Sequence, residues 1–363
     1  MKIGIVGLSL SGKTTLFNAL TGSQVDTTAF MSGKGDAHRA VISVPDERLD
    51  VLNDLFQPKK KTPATIEYID LAGLNATEQK KTGFSDQFLG QIRLVDAILV
   101  LVRHFKNDSV PHPLNTIDPL RDLGIVEAEF ILSDLGIIEN RMERLLRQMK
   151  AKKTDQDARE YELLERCKAF LEEEKPLRNL PMSTEEQFLV RGYQFLTQKP
   201  LIVCVNIGET DIHNDSAVLA SFSVYQQAGQ VSVLTVSAQI EMEVQQLTTE
   251  EAELFRSDLG IVDSAMGRLV RESYDLVGLI SFFTVGSDEV RAWTIRRHTV
   301  APLAAGAIHT DIERGFIRAE VVAYDEFIRR KTMALCRTDG VLRLEGKEYI
   351  VKDGDIINFR FAV

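Results

Sequence analysis

The chain has little cysteine, a single tryptophan and no long hydrophobic run: three Cys and one Trp stand among 363 residues. Cys167, Cys204 and Cys336 are far apart, with no CxxC and no metal-ligand spacing. A disulfide framework and a structural zinc site are thereby excluded, and reduced thiols are expected. The longest apolar runs, such as residues 97–102, fall far short of the ~20 residues that cross a bilayer, so no membrane partner is expected. Met1 and Lys2 lead directly into an apolar stretch without a secretory pattern, which predicts a cytoplasmic protein. A formal charge of −10 argues against DNA and against nucleic-acid binding through overall charge, so any RNA contact must be confined to one surface. With 44% hydrophobic residues over this length, two or three globular domains are expected.

What is present begins at residues 7–14, Gly-Leu-Ser-Leu-Ser-Gly-Lys-Thr. Ile3, Ile5 and Val6 precede this stretch and Leu16, Phe17, Ala19 and Leu20 follow it, a strand–loop–helix order around GxxxxGK(S/T). Successive backbone N–H groups of such a loop curl around phosphate oxygens. Gly7 and Gly12 supply the backbone freedom the curl requires. Leu10, Ser11 and Thr15 complete the candidate phosphate contacts. Lys13 is placed to reach the terminal phosphates and the Thr14 hydroxyl to ligate Mg2+, while the helix directs its positive end at the anion. Some sixty residues later, Asp70 closes a strand in Asp70-Leu71-Ala72-Gly73. A carboxylate there suits the Mg2+ shell, and the Gly73 N–H suits the γ-phosphate.

Along the chain, residues 22–39 show no apolar period and read as a mobile loop, and residues 40–44 as a strand. Asp46 caps a helix carrying Leu49, Leu52, Leu55 and Phe56, and residues 65–71 and 97–102 read as further strands. From Ile131, the positions Leu135, Ile138, Met142, Leu145 and Met149 form a heptad seam. A second charged helix follows with Leu164, Cys167 and Leu171, giving an antiparallel hairpin. Strands then return at 201–205 and 231–236, ending in Asn206-Ile207-Gly208-Glu209 and Ser237-Ala238-Gln239, where a nucleotide base would be read. From Leu279 onward, short strands with Gly and Asp turns indicate a small α+β domain. There Arg291, Trp293, Arg296, Arg297 and His298 gather cations beside the only tryptophan. That patch suits RNA stacking and phosphate contact, although Trp293 also suits a core position.

Several stretches resemble the YchF family of Obg-related P-loop ATPases. They include Val44-Pro45-Asp46-Glu47-Arg48-Leu49, Thr65-Ile66-Glu67-Tyr68-Ile69-Asp70-Leu71-Ala72-Gly73-Leu74, Phe282-Phe283-Thr284-Val285-Gly286, Val290-Arg291-Ala292-Trp293-Thr294-Ile295-Arg296-Arg297 and Asp353-Gly354-Asp355. The resemblance implies an α/β fold: a Ras-like P-loop domain (1–126 and 199–278), a helical coiled-coil insertion (127–198) and a C-terminal α+β β-grasp (TGS) domain (279–363). It implies weak ATP or GTP hydrolysis with Mg2+. It also implies a ribosomal partner, through rRNA or tRNA contacts of the hairpin and tail. The residue after the DxxG motif is Leu74, and the resemblance offers His112 in its loop as the residue that orients water.

Base choice is open to argument from the residues. A guanine-specific site uses a lysine over the base and an aspartate beneath it. Ile207 and Glu209 stand at those positions, which predicts ATP, with Asp211 able to restore a guanine contact. A GTP/GDP switch and a hydrolytically inactive scaffold are the alternatives. The family's first-switch threonine is absent, since an ungapped match places Lys34, Gly35, Asp36 and Ala37 there. The expectation is that Lys34 closes over the phosphates and supplies the charge a missing ligand would provide.

Overall fold

The structure, a computed structural model, describes residues 1–22, 38–71, 84–152, 154–227, 229–261 and 263–362. The sequence expectations for Lys34, Gly73 and Leu74 lie outside the described residues. Two compact units emerge, residues 1–41 with 67–269 and residues 42–66 with 270–363.

The first unit is built on a sheet of order β2-β4-β1-β5-β6-β7. Its strands are β1 (Lys2–Val6), β2 (His38–Ser43), β4 (Thr65–Asp70), β5 (Ala97–Arg103), β6 (Leu201–Asn206) and β7 (Val231–Val236). β1 pairs in parallel with β4 and β5, β5 with β6, and β6 with β7. Every residue of β5 and β6 is buried, as expected of central parallel strands covered on both faces. This arrangement brings the carboxyl ends of β1, β4, β5, β6 and β7 to one edge, the edge at which open α/β sheets bind ligands.

Helix α1 (Lys13–Thr21) follows β1 directly. In chain order come α2 (Glu47–Phe56), α3 (Asp86–Arg93), α4 (Pro119–Ala151) and α5 (Asp155–Glu172). α4 starts cleanly because the Asp118 side chain accepts from Arg121 N and Pro119 occupies the first turn. Its first half buries Leu123, Val126 and Phe130 in the core under the sheet, and its second half buries Ile138 and Leu145 against Leu164, Cys167 and Leu171 of α5. One unbroken helix therefore carries both the domain core and the hairpin seam. Asp134 locks the base of the hairpin: fully buried, it accepts from Leu196 N, Thr197 N, Thr197 Oγ1 and Arg93 Nη1 at 2.8–3.1 Å.

The second unit has a sheet of order β11-β10-β12-β8-β9-β3. Its strands are β3 (Lys60–Thr62), β8 (Leu279–Val285), β9 (Glu289–Arg296), β10 (Phe316–Ala323), β11 (Arg343–Glu345) and β12 (Asp355–Phe361). The helix Ala301–Ile308 lays Ala301, Ala304 and Ala305 on one face, against Phe282, Ala319, Val321 and Phe359. Residues 42–66, placed in the nucleotide domain by the sequence reading, cluster here instead. β3 adds to the sheet beside β9, Phe56 of α2 stacks on Phe327 at 5.8 Å, and Arg48 bridges Asp46 and Asp353 at 2.9 and 2.7 Å. Apart from the local Arg48–Asp46 pair, these are pairings over more than two hundred residues, which no local pattern announces.

Trp293 is half-buried. It packs on the cluster beneath the helix Ala301–Ile308 and donates Nε1–H to Thr284 Oγ1 at 2.9 Å, with the Arg291 guanidinium 3.7 Å from its ring centre. Among the described residues no helix is long and apolar enough to cross a membrane.

Candidate nucleotide-binding site

The loop after β1 has the conformation its glycines predict. Gly7 and Gly12 have φ of +154° and +97°, and Leu10 adopts φ of +63°. A leucine there carries strain of about 1 kcal/mol. A Cβ on Gly7 would lie 2.3 Å from Leu101 O, and one on Gly12 would lie 2.3 Å from Asn206 Nδ2. Backbone this close admits no side chain. The Ser11 hydroxyl is buried inside the turn, and no described residue accepts or donates to it.

Lys13 opens α1, and its buried ammonium donates to Gly7 O and Leu8 O at 2.9 and 2.8 Å. Burial lowers its pKa to about 8, an effect the negative charge of Asp70 partly opposes. Asp70 is fully buried at the end of β4. A cation and a carboxylate thus share the phosphate end of the site.

Asn206 is the knot of the other end. Its Nδ2 donates to Ser11 O at 2.9 Å and its Oδ1 accepts from Ala238 N at 3.1 Å. Its own carbonyl accepts from His104 N and Phe105 N at 2.9 and 3.1 Å. One buried residue therefore binds three loops together, the phosphate loop and the β7 loop through its side chain and the β5 loop through its backbone carbonyl. Its amide spends one N–H and one acceptor position on protein while the residue also lines the cavity, so it shapes the site from within its wall.

Between these ends lies a cavity of about 730 Å³. Among the sequence-predicted residues, Leu10, Gly12, Lys13, Thr14, Thr15, Asn206, Ile207, Glu209, Ser237 and Gln239 line it. Gly7, Ser11, Ala238, Asp70 and Asp211 do not, although Gly7, Ser11 and Ala238 hold the backbone that does. Sequence reasoning missed Phe105, Val110, Ile240, Met242 and Glu243 as walls. The usable signal was position, since each follows the carboxyl end of β5 or β7 within about a turn or two.

Arg103 holds the missed wall in shape. Its buried guanidinium donates to Phe105 O, Asn107 O and Val110 O at 3.1, 3.4 and 2.8 Å and sits 4.3 Å from the Phe105 ring centre. Burial lowers its pKa.

His112 corrects an expectation. Its ring is buried away from the cavity, Nε2 lies 2.8 Å from Asp122 Oδ2, and Nδ1 accepts from Leu114 N at 3.1 Å. Because Nδ1 accepts, the neutral ring must carry its proton on Nε2 and donate it to Asp122, leaving no lone pair for water. In this structure His112 fastens the loop to the start of α4.

The residues fit a polyphosphate and its metal. The Gly7–Gly12 cradle admits only backbone, the Ser11 hydroxyl awaits a partner, and Thr14 with the Asp70 carboxylate provides oxygen donors of the kind Mg2+ takes. Among the described residues no group of three or more His, Cys, Asp or Glu is arranged to hold a metal by protein ligands alone.

A parallel sheet with this loop at its ligand edge defines a P-loop protein of the GTPase class. A family model described as "50S ribosome-binding GTPase" matches residues 2–154, and the YchF-GTPase C-terminal model, described as a protein of unknown function, matches residues 279–362. Across 99% of both chains the protein is 40% identical to the ribosome-binding ATPase YchF of Bacillus subtilis. It is 39% identical to that of Escherichia coli O157:H7, over 100% of this chain and 99% of the relative. The solved structure of the Schizosaccharomyces pombe YchF GTPase superposes with a TM-score of 0.87 at 32% identity, covering 99% of this chain and 97% of the other. The chain belongs to the YchF family.

Proposed function

We propose that this protein binds ATP with Mg2+, hydrolyses it slowly and uses the bound state to engage the ribosome. The observation that carries the choice of base is the wall at Ile207 and Glu209. The lysine–aspartate pair that clamps guanine is replaced by an isoleucine and an exposed glutamate, next to Phe105, Ile240 and Met242. A slot with apolar walls and the Glu209 carboxylate at the position of the guanine-reading aspartate accepts the adenine amine and leaves guanine's N1–H and N2 donors without their lysine-backed clamp.

In the hydrolysis, Lys13 steadies charge on the transferred phosphoryl group, and Thr14 and Asp70 would hold Mg2+, which when bound neutralises the phosphate oxygens. The described cavity wall contains no histidine. His112 serves as water-orienting residue only after its loop leaves Asp122, and that rupture keeps turnover slow. Relatives carrying the name ribosome-binding ATPase support the ribosomal partner, with the hairpin and C-terminal unit as the contacting parts. A GTP/GDP switch is the second reading, favoured by the GTPase description of the first family model.

Titration calorimetry with Mg·ATP and Mg·GTP separates them. ATP binding at least tenfold tighter is the expected result, and a GTP preference would establish the switch instead.

A further inference from the structure

The end of the second sheet that α2 and the helix Tyr324–Arg330 leave open bears an uncommon charge arrangement. Arg318 of β10 and Arg360 of β12 stand directly opposite each other across the antiparallel pair. Like charges facing each other across strands destabilise a sheet. Two positions along β10, the buried Glu320 projects to the same face. Its carboxylate accepts from Arg360 Nη2 at 3.1 Å, Arg337 Nη2 at 3.1 Å and Asn358 Nδ2 at 2.9 Å. Burial pushes the Glu320 pKa up, but the hydrogen bonds from Asn358 and Arg360 and the charges of Arg360 and Arg337 more than reverse this and hold it low.

A single carboxylate thus anchors two guanidinium groups whose outer edges remain open, the Arg360 and Arg337 side chains being 55% and 65% exposed. Arg318 is exposed and forms no ion pair among the described residues. Three arginines against one glutamate leave an excess of two positive charges on a protein whose net charge is −10. Leu344, opposite Glu320 on β11, is exposed beside them. A merely soluble surface does not need arginines placed in register and held still by a buried acid.

We propose that Arg318, Arg337 and Arg360 form a docking surface for the phosphodiester backbone of RNA. The inference rests on the ribosome-binding reading above and names the face that would carry it. Planar guanidinium forks with one edge already fixed present the other to phosphate oxygens in a set orientation. The open patch of Arg318, Glu320, Leu344, Asn358 and Arg360 contains no aromatic on which a base could stack. Recognition is therefore of backbone, independent of base sequence and sensitive to salt.

The test is fluorescence anisotropy of the full chain with a labelled single-stranded RNA of about 20 nucleotides and mixed sequence, titrated across salt. Arg318→Glu breaks no ion pair of the fold and removes the like-charge contact with Arg360, so its melting temperature should equal or exceed that of the wild type and its ATP affinity should match it. Its RNA affinity should fall at least tenfold, and its log–log salt slope should shrink by about 0.7, the value of one lost phosphate contact. Arg318→Lys should retain binding to within about threefold. Unchanged RNA affinity in Arg318→Glu overturns the proposal. So does displacement of RNA by poly-glutamate of equal length at an equal or lower concentration, which would assign the face to an acidic protein. Cosedimentation with ribosomes tells the two levels apart. If wild type and Arg318→Glu pellet equally, this face is wrong while the ribosomal reading stands; if wild type does not pellet, the ribosomal reading itself fails.

Discussion

At the phosphate end of the cavity the described wall comes from one short stretch, residues 9–15. The base end is assembled from residues 105–110, 206–209 and 237–243, brought together from three strand ends. The first is local chemistry, a turn so tight that two of its residues can only be glycine. The second is a product of the fold, and it exists because Asn206 ties its loops to one another and to the first end. Contiguous sites are therefore intolerant at single residues. Assembled sites fail through the residue that joins them.

The largest effect should come from closing the cradle. Gly12→Ala places a methyl group 2.3 Å from Asn206 Nδ2 at a φ of +97°, so the loop must open, and ATP affinity should fall by more than a hundredfold. Asn206→Ala removes the knot without filling space, and it should cost ATP and GTP equally, by about ten- to a hundredfold, because the side chain holds loops and does not select a base. Calorimetry on the two variants checks both statements. A loss in Asn206→Ala confined to one purine would show that Asn206 reads the base after all, and the contrast between the two ends would weaken.

This contrast also accounts for what was legible in the sequence. The loop 7–14, the carboxylate Asp70 at a strand end and the heptad seam through Ile138 and Leu145 are patterns of neighbours, and neighbours are what a sequence displays. Phe105 and Met242 were missed because apolar residues after a strand read as ordinary core until the sheet places them at its ligand edge. The anchoring of His112 was hidden for a related reason. The histidine is visible in the sequence, whereas the bond from Nε2 to Asp122 exists only once α4 has started at Pro119. Residues 42–66 joined the wrong unit because their partners, Asp353, Phe327 and β9, lie at the far end of the chain.

The loop after β5, which gives Phe105 and Val110 to the wall and holds His112 beyond it, offers a finer test of whether the assembled end moves. If His112 orients water after leaving its bond, His112→Ala should lower turnover about a hundredfold with ATP affinity little changed. Asp122→Asn, which keeps the shape but weakens the hold on the ring, should raise turnover a few-fold. Steady-state kinetics with melting temperatures as a control distinguish this from a purely structural histidine. In the structural case both variants would lose stability and neither would change turnover selectively.

The smallest effect is a titration that acts at the phosphate end alone. Lys13, lowered to about 8 by burial, is protonated at pH 7 and loses its proton as pH rises through 8. A bound polyphosphate restores the charge by raising the pKa again, so binding above pH 8 takes up a proton, and affinity should fall about tenfold between pH 7 and 9. Stability of the ligand-free protein should move in the opposite direction. The unfolded lysine titrates near 10.4 and binds more protons than the folded one between about 8 and 10.4, so stability increases with pH across that window. Lys199, also lowered to about 8 by burial, contributes to the stability trend but does not line the cavity. Lys199→Met should therefore flatten part of the stability curve and leave the affinity curve intact. Calorimetry in two buffers of different ionisation enthalpy measures the proton uptake directly. A flat affinity profile with no proton taken up would mean that Lys13 keeps its charge throughout, held by Asp70 and the carbonyls of Gly7 and Leu8, and that burial at this end has no bearing on how the anion is bound.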